Sequence, residues 1–101
     1  MELITAYPRR HPETAFRQIG DEGGLVVLPG RAEVKVLNPV GIAVFSLLDG
    51  SRDLDTLAAT IAGEFEIELD RAREDVAAFL AELRREGMLA DAPAVSSERS
   101  A

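Results

Sequence analysis

Reactive side chains are scarce in this chain and badly placed for one another. His11 is its only histidine. It follows Arg9 and Arg10 and precedes Pro12, in a stretch with no helix or strand pattern, where a histidine is ordinarily solvated. Acid–base work needs a second titrating group converging on the first. The carboxylate pairs Asp21/Glu22, Glu64/Glu66 and Glu74/Asp75 fall instead in turns or on the polar faces of helical patterns, where they read as solvated charge. Ser46 has no histidine in local reach to activate it. There is no cysteine, which removes thiolate nucleophiles, disulfides and iron–sulfur ligation together. Gly20-Asp21-Glu22-Gly23-Gly24 lacks the Lys-Ser/Thr of a phosphate loop and does not open a helix. No metal-ligand spacing is present. The residues point to binding rather than catalysis, with no metal and no cofactor.

The chemistry that remains is that of an exposed strand. Residues 32–37 alternate, with Val34 and Val36 on one side and Glu33, Lys35 and Leu37 on the other. No proline or glycine interrupts them. At a sheet edge such a strand offers unpaired N–H and C=O groups to an incoming peptide. A possible second wall lies on the last helical segment. There Arg73, Ala77, Leu80 and Arg84 recur at spacings of four, three and four, beside an inward stripe of Ala72, Val76, Phe79 and Leu83. That wall is small and apolar in the middle and basic at both ends, and would suit an apolar residue flanked by carboxylates. The competing reading makes Arg73 and Arg84 partners of nearby acids and Leu80 ordinary core.

Two halves must position these residues. In the first, Ala15–Ile19, Leu25–Leu28 and Ala32–Leu37 read as strands, separated by the glycine cluster and by Pro29-Gly30. In the second, Asn38-Pro39 starts a helix that Asp49-Gly50 ends. Asp53 caps a second helix and Asp70 a third, which Gly87 stops before Met88-Leu89 folds back on the core. The fold class is α+β: a three-stranded antiparallel meander followed by three α-helices, like a winged helix with its sheet placed first. The expected core is Phe16, Val26, Leu28, Val36, Val44, Phe45, Leu48, Leu57, Ile61, Phe65, Val76, Phe79 and Leu83.

At 101 residues and 47% hydrophobic, the chain can build one domain with a real core. We expect an N-terminal arm at 1–14, a peptide-binding domain at 15–90 and a disordered tail at 91–101. The N-terminus lacks the pattern of a signal peptide. No apolar run approaches the roughly 20 residues of a membrane helix. The expected setting is cytoplasmic. The net charge of −7 argues against a nucleic-acid partner, which would call for clustered Lys and Arg.

An ordered set of residues adds a resemblance. His11-Pro12, Phe16-Arg17, Leu37-Asn38-Pro39, Leu47-Leu48-Asp49-Gly50, Asp75-Val76, Phe79-Leu80, Leu83 and Gly87-Met88-Leu89 together resemble the PqqD family. These are peptide chaperones of pyrroloquinoline-quinone biosynthesis and related pathways, also called RiPP recognition elements. The resemblance implies three strands followed by three helices, and no catalysis. It implies a leader peptide added as a strand beside the third strand and against the third helix. It also implies a radical S-adenosylmethionine or other peptide-modifying enzyme as client. On that basis Glu33, Val34, Lys35, Val36 and Leu37 form one wall of the groove. Arg73, Ala77, Leu80 and Arg84 come from the helical spacing alone and form the other. The sequence departs from the family where a tryptophan often stands, which here reads Val44-Phe45. Other classes compatible with the pattern are a DNA-binding winged helix, disfavoured by charge, and a generic protein–protein adaptor.

Overall fold

Asn38 marks the switch from strand to helix. Its side chain accepts the Gly41 amide at 2.7 Å while its own backbone stays extended, and Pro39 occupies the first helical turn, where its missing N–H costs nothing. The computed structural model describes residues 7–28 and 33–90, with only the backbone of Leu28. The expected tail at 91–101, the Pro29-Gly30 turn, Ala32, the first six residues of the arm and the core placement of Leu28 lie outside what is described.

The elements run β1 (Ala15–Gln18), β2 (Gly24–Leu28), β3 (Glu33–Leu37), α1 (Pro39–Ser46), α2 (Leu54–Phe65) and α3 (Leu69–Arg85). The strands form one antiparallel sheet in the order β1-β2-β3, as the meander reading expects. Asp53 caps α2 by accepting the Thr56 amide at 2.9 Å. This bond holds the Asp53 carboxyl below its usual range. The third cap differs from expectation. α3 begins at Leu69 after Glu68, whose side chain makes no capping hydrogen bond, and Asp70 lies inside the first turn. There the carboxylate favours the helix through the dipole rather than as a cap. Gly87 ends α3 with φ 74, a conformation glycine adopts without strain. The Met88 amide then returns to the Leu83 carbonyl at 2.9 Å, which turns Met88 into the core.

The core lies between the inner sheet face and the three helices. Phe45, Leu48, Leu57, Ile61, Leu83, Val26, Val44 and Val76 are its largest fully buried side chains. Phe65 and Phe79 are half-buried and pack against it. Two expected core residues are not there. Val36 is 75% exposed, because the register pairs Lys35 with buried Val26 and Leu37 with Gly24. The inward face of β3 is therefore the Lys35/Leu37 side, and Val34 and Val36 point outward. Phe16 stays at the rim, exposed on one side and set edge-on to Phe45 at 5.4 Å. Leu37, Ile42, Ala58, Ala72 and Met88 complete the core instead. Ile42 packs where a Cβ on Gly24 would sit, so the bare backbone of Gly24 lets α1 approach the sheet.

The lead-in before β1 is stitched down rather than loose. Residues 8–11 lie between the turn after α1 and the segment after α3. Arg10 N donates to Leu48 O (2.8 Å) and Gly50 N to Pro8 O (3.2 Å); on the other side His11 N donates to Met88 O (2.9 Å) and Ala90 N to Arg9 O (2.8 Å). No helix among the described residues is long and apolar enough to cross a membrane.

Candidate functional site

Among the described residues β3 is an edge strand with one neighbour, β2. Which of its backbone groups are free follows from the hairpin. Ile19 N donates to Gly23 O at 2.8 Å, so residues 19 and 23 form a hydrogen-bonded pair across the β1–β2 turn. In an antiparallel ladder such pairs alternate. Positions 23, 25 and 27 therefore bond β1, and 24, 26 and 28 bond β3. By the printed register their β3 partners are Leu37, Lys35 and Glu33. The N–H and C=O groups of Val34 and Val36 are left facing outward, an open template for another strand.

Below this edge runs a groove of about 460 Å³ between β3, the start of α1 and α3. Leu37, Val40, Val44, Val76 and Phe79 give it an apolar floor. Its ends are acidic. Asp75 lines one end and Glu82 the other. At the Glu82 end, Lys35 reaches inward from β3 and bonds Glu82, with Glu86 Oε1 a further 3.0 Å contact. The Lys35 side chain is only 18% exposed. The hydrogen bond to Glu82 is the main influence on its ammonium. With Glu86 it outweighs partial burial and raises the pKa above the ordinary lysine value. At the far end Asp75 meets Arg71 at 3.5 Å, both well exposed. A smaller hollow of about 320 Å³, between the β1–β2 turn and α1/α2, is lined by Gln18, Asp21, Leu47, Glu64 and Phe65 among others.

Of the expected site residues, Lys35, Val36 and Leu37 line the groove, and Val34 supplies the outer backbone. Glu33 begins the strand. The expected helix wall of Arg73, Ala77, Leu80 and Arg84 does not line it. Arg73 bridges to Asp55 of α2 at 2.8 Å, Ala77 is exposed, and Leu80 packs against the core. The wall facing β3 is the opposite flank of the inward stripe: Asp75, Phe79, Glu82 and Glu86, also spaced four, three and four. Both flanks carry the same period, so spacing alone gave no signal to separate them. His11 is occupied locally, its Nδ1 accepting the Glu13 amide at 3.0 Å.

Solved structures share this architecture. A lasso peptide synthetase B1 complexed with its leader peptide superposes with a TM-score of 0.72 at 24% identity, over 85% of this chain and all of that one. The PqqD truncation of Methylobacterium extorquens PqqCD, a stand-alone RiPP recognition element, gives 0.69 at 20% identity, over 83% of this chain and 88% of that one. At these identities the likeness is one of fold. The sequence carries the rest. A PqqA binding protein of Rhizobium meliloti (strain 1021) is 33% identical over 66 residues, which span 65% of this chain and 67% of that protein. The family described as Coenzyme PQQ synthesis protein D (PqqD) matches residues 24–89, from the first residue of β2 to the segment that closes the core. On that family match and that relative, the chain belongs to the PqqD family.

Proposed function

We propose that this protein binds the leader segment of a ribosomally made precursor peptide as a fourth strand on β3. It presents that peptide to a separate modifying enzyme, of the radical S-adenosylmethionine type or a related one, and does no chemistry itself. The observation that carries this reading is the outward-facing backbone of Val34 and Val36 directly above an apolar groove. Backbone pairing supplies affinity, and alternate side chains entering the groove supply selection. The PqqA-binding relative and the leader-bound lasso synthetase domain support the ligand class. The cysteine-free composition fits a cytoplasmic setting.

The test separates the two sides of the strand. Val36→Pro removes an outward donor and leaves the β2 ladder intact, since proline is tolerated at an edge whose N–H faces solvent. Calorimetry with synthetic PqqA peptide should show affinity reduced about tenfold or more, with parent-like circular dichroism. Hydrogen exchange at the Val34 and Val36 amides should slow when peptide is added. Unchanged affinity in a folded Val36→Pro protein removes β3 as the docking edge.

A further inference from the structure

Two rows of side chains cross the sheet on the face turned away from the core. By register one row is Ala15, Val27 and Val34, and the other is Arg17, Leu25 and Val36. Residues opposite one another in the ladder share a face, and these alternate with the inward row of Phe16, Val26 and Lys35. Val34 is 58% exposed and Val36 75%, while Leu25 and Val27 are half-buried. None of the four belongs to the core cluster. A contiguous apolar patch of this kind marks an interaction surface. Arg17 is the one charged residue in the two rows, and it makes no ion pair among the described residues.

The patch is continuous with the docking edge. Val34 and Val36 offer their backbone to the peptide and their side chains to this face. A strand added there places every second side chain of its own beside them, so the loaded sheet presents a wider face than the empty one. A second copy of the chain fits the face poorly. Each copy carries a net charge of −7, and the two rows hold no carboxylate to meet Arg17 once it is buried. We propose that the outer sheet face is where the enzyme that modifies the bound peptide docks, through an apolar surface carrying a carboxylate for Arg17. This rests on the strand-addition reading and adds the partner's surface to it. The enzyme then meets domain and peptide together, and an empty domain competes weakly for it.

The probes are synthetic PqqA peptide and the radical S-adenosylmethionine enzyme that acts on PqqA, flowed without oxygen over the immobilised chain. The peptide-loaded parent should bind enzyme about threefold tighter or more than the empty parent. Arg17→Glu and Val27→Glu should each weaken enzyme binding about tenfold or more, with peptide affinity by calorimetry within about twofold of the parent. Ala81→Glu, an exposed position on α3, adds negative charge elsewhere and should leave both affinities unchanged. Arg17 is itself exposed, so its variant keeps the test open if Val27→Glu does not fold. No enzyme binding to the loaded parent, or binding that Arg17→Glu leaves unchanged, overturns the proposal. An equal loss in Ala81→Glu does so too, since overall charge would then carry it, as does a parallel loss of peptide affinity in Arg17→Glu. Sedimentation in which the parent dimerises and Val27→Glu does not gives the face to a second copy. A nitroxide on Ser97→Cys that broadens the Val27 and Val36 methyl signals gives it to the chain's own C-terminal segment. Either result overturns the enzyme as occupant. If Val36→Pro loses the peptide while Arg17→Glu keeps the enzyme, the outer-face proposal falls alone. Parent-like peptide binding in Val36→Pro overturns the strand reading and this proposal with it.

Discussion

Lys35 is the only lysine in the chain, and it sits at an inward strand position where an apolar residue would be the ordinary choice. Its aliphatic stem lies against buried Val26, its neighbour on β2, while the ammonium extends to Glu82 and Glu86. The raised pKa fixes the sign of its contribution. A lysine whose folded pKa exceeds its unfolded one adds stability that is complete below the unfolded value and is lost as pH rises through the folded value. The ordinary lysine value is 10.5, so the loss falls in the alkaline range above it. The arginines stay charged there. Thermal melts between about pH 9 and pH 12 should show the parent falling more steeply than Lys35→Met, whose side chain keeps the stem and has no proton to lose. Parallel curves would remove the ion pair as a stabilising element.

Among the elements, the strand-to-helix corner at Asn38 has the clearest local cause. Asn38→Ala removes the acceptor of the Gly41 amide and should cost about 1 kcal/mol in urea unfolding. The order and number of elements were legible from such signals: Asn38-Pro39, Asp53, Gly87, and the glycine cluster between β1 and β2. Two choices of face were not. The alternation in β3 was read correctly as two classes, but valine hydrophobicity assigned the wrong class inward. Burial followed the Val26 and Gly24 register instead, and lysine could point inward because Glu82 of α3 and Glu86 just past its end supply two carboxylates. The α3 spacing likewise identified the inward stripe without saying which flank meets the sheet. That is decided by how α3 crosses, which no local pattern encodes. The expected groove was therefore apolar with basic ends, and the observed one is apolar with acidic ends.

At the scale of the whole molecule, the segment before β1 joins parts that no sheet or helix connects. Arg10 carries much of that role. Its guanidinium donates to the Phe45 and Ser46 carbonyls, each at 3.0 Å. It also lies over the Phe16 and Phe45 rings, at 5.0 and 6.0 Å from their centroids. These carbonyls close α1, where a cation also meets the negative end of the helix dipole. Arg10→Ala should lower stability by about 2 kcal/mol in urea unfolding. Arg10→Lys should recover only part of it, since an ammonium cannot bridge two carbonyls and stack on a ring together. A loss equal to that of an exposed arginine such as Arg17 would show that the contacts carry no net energy.

The same stitching has a consequence for how the two segments it joins come loose. Arg9 and Ala90 are hydrogen-bonded neighbours, so the segment before β1 and the segment after α3 lie side by side. Whatever loosens one of the two segments therefore also strips a backbone partner from the other, so they should open together rather than fray one at a time.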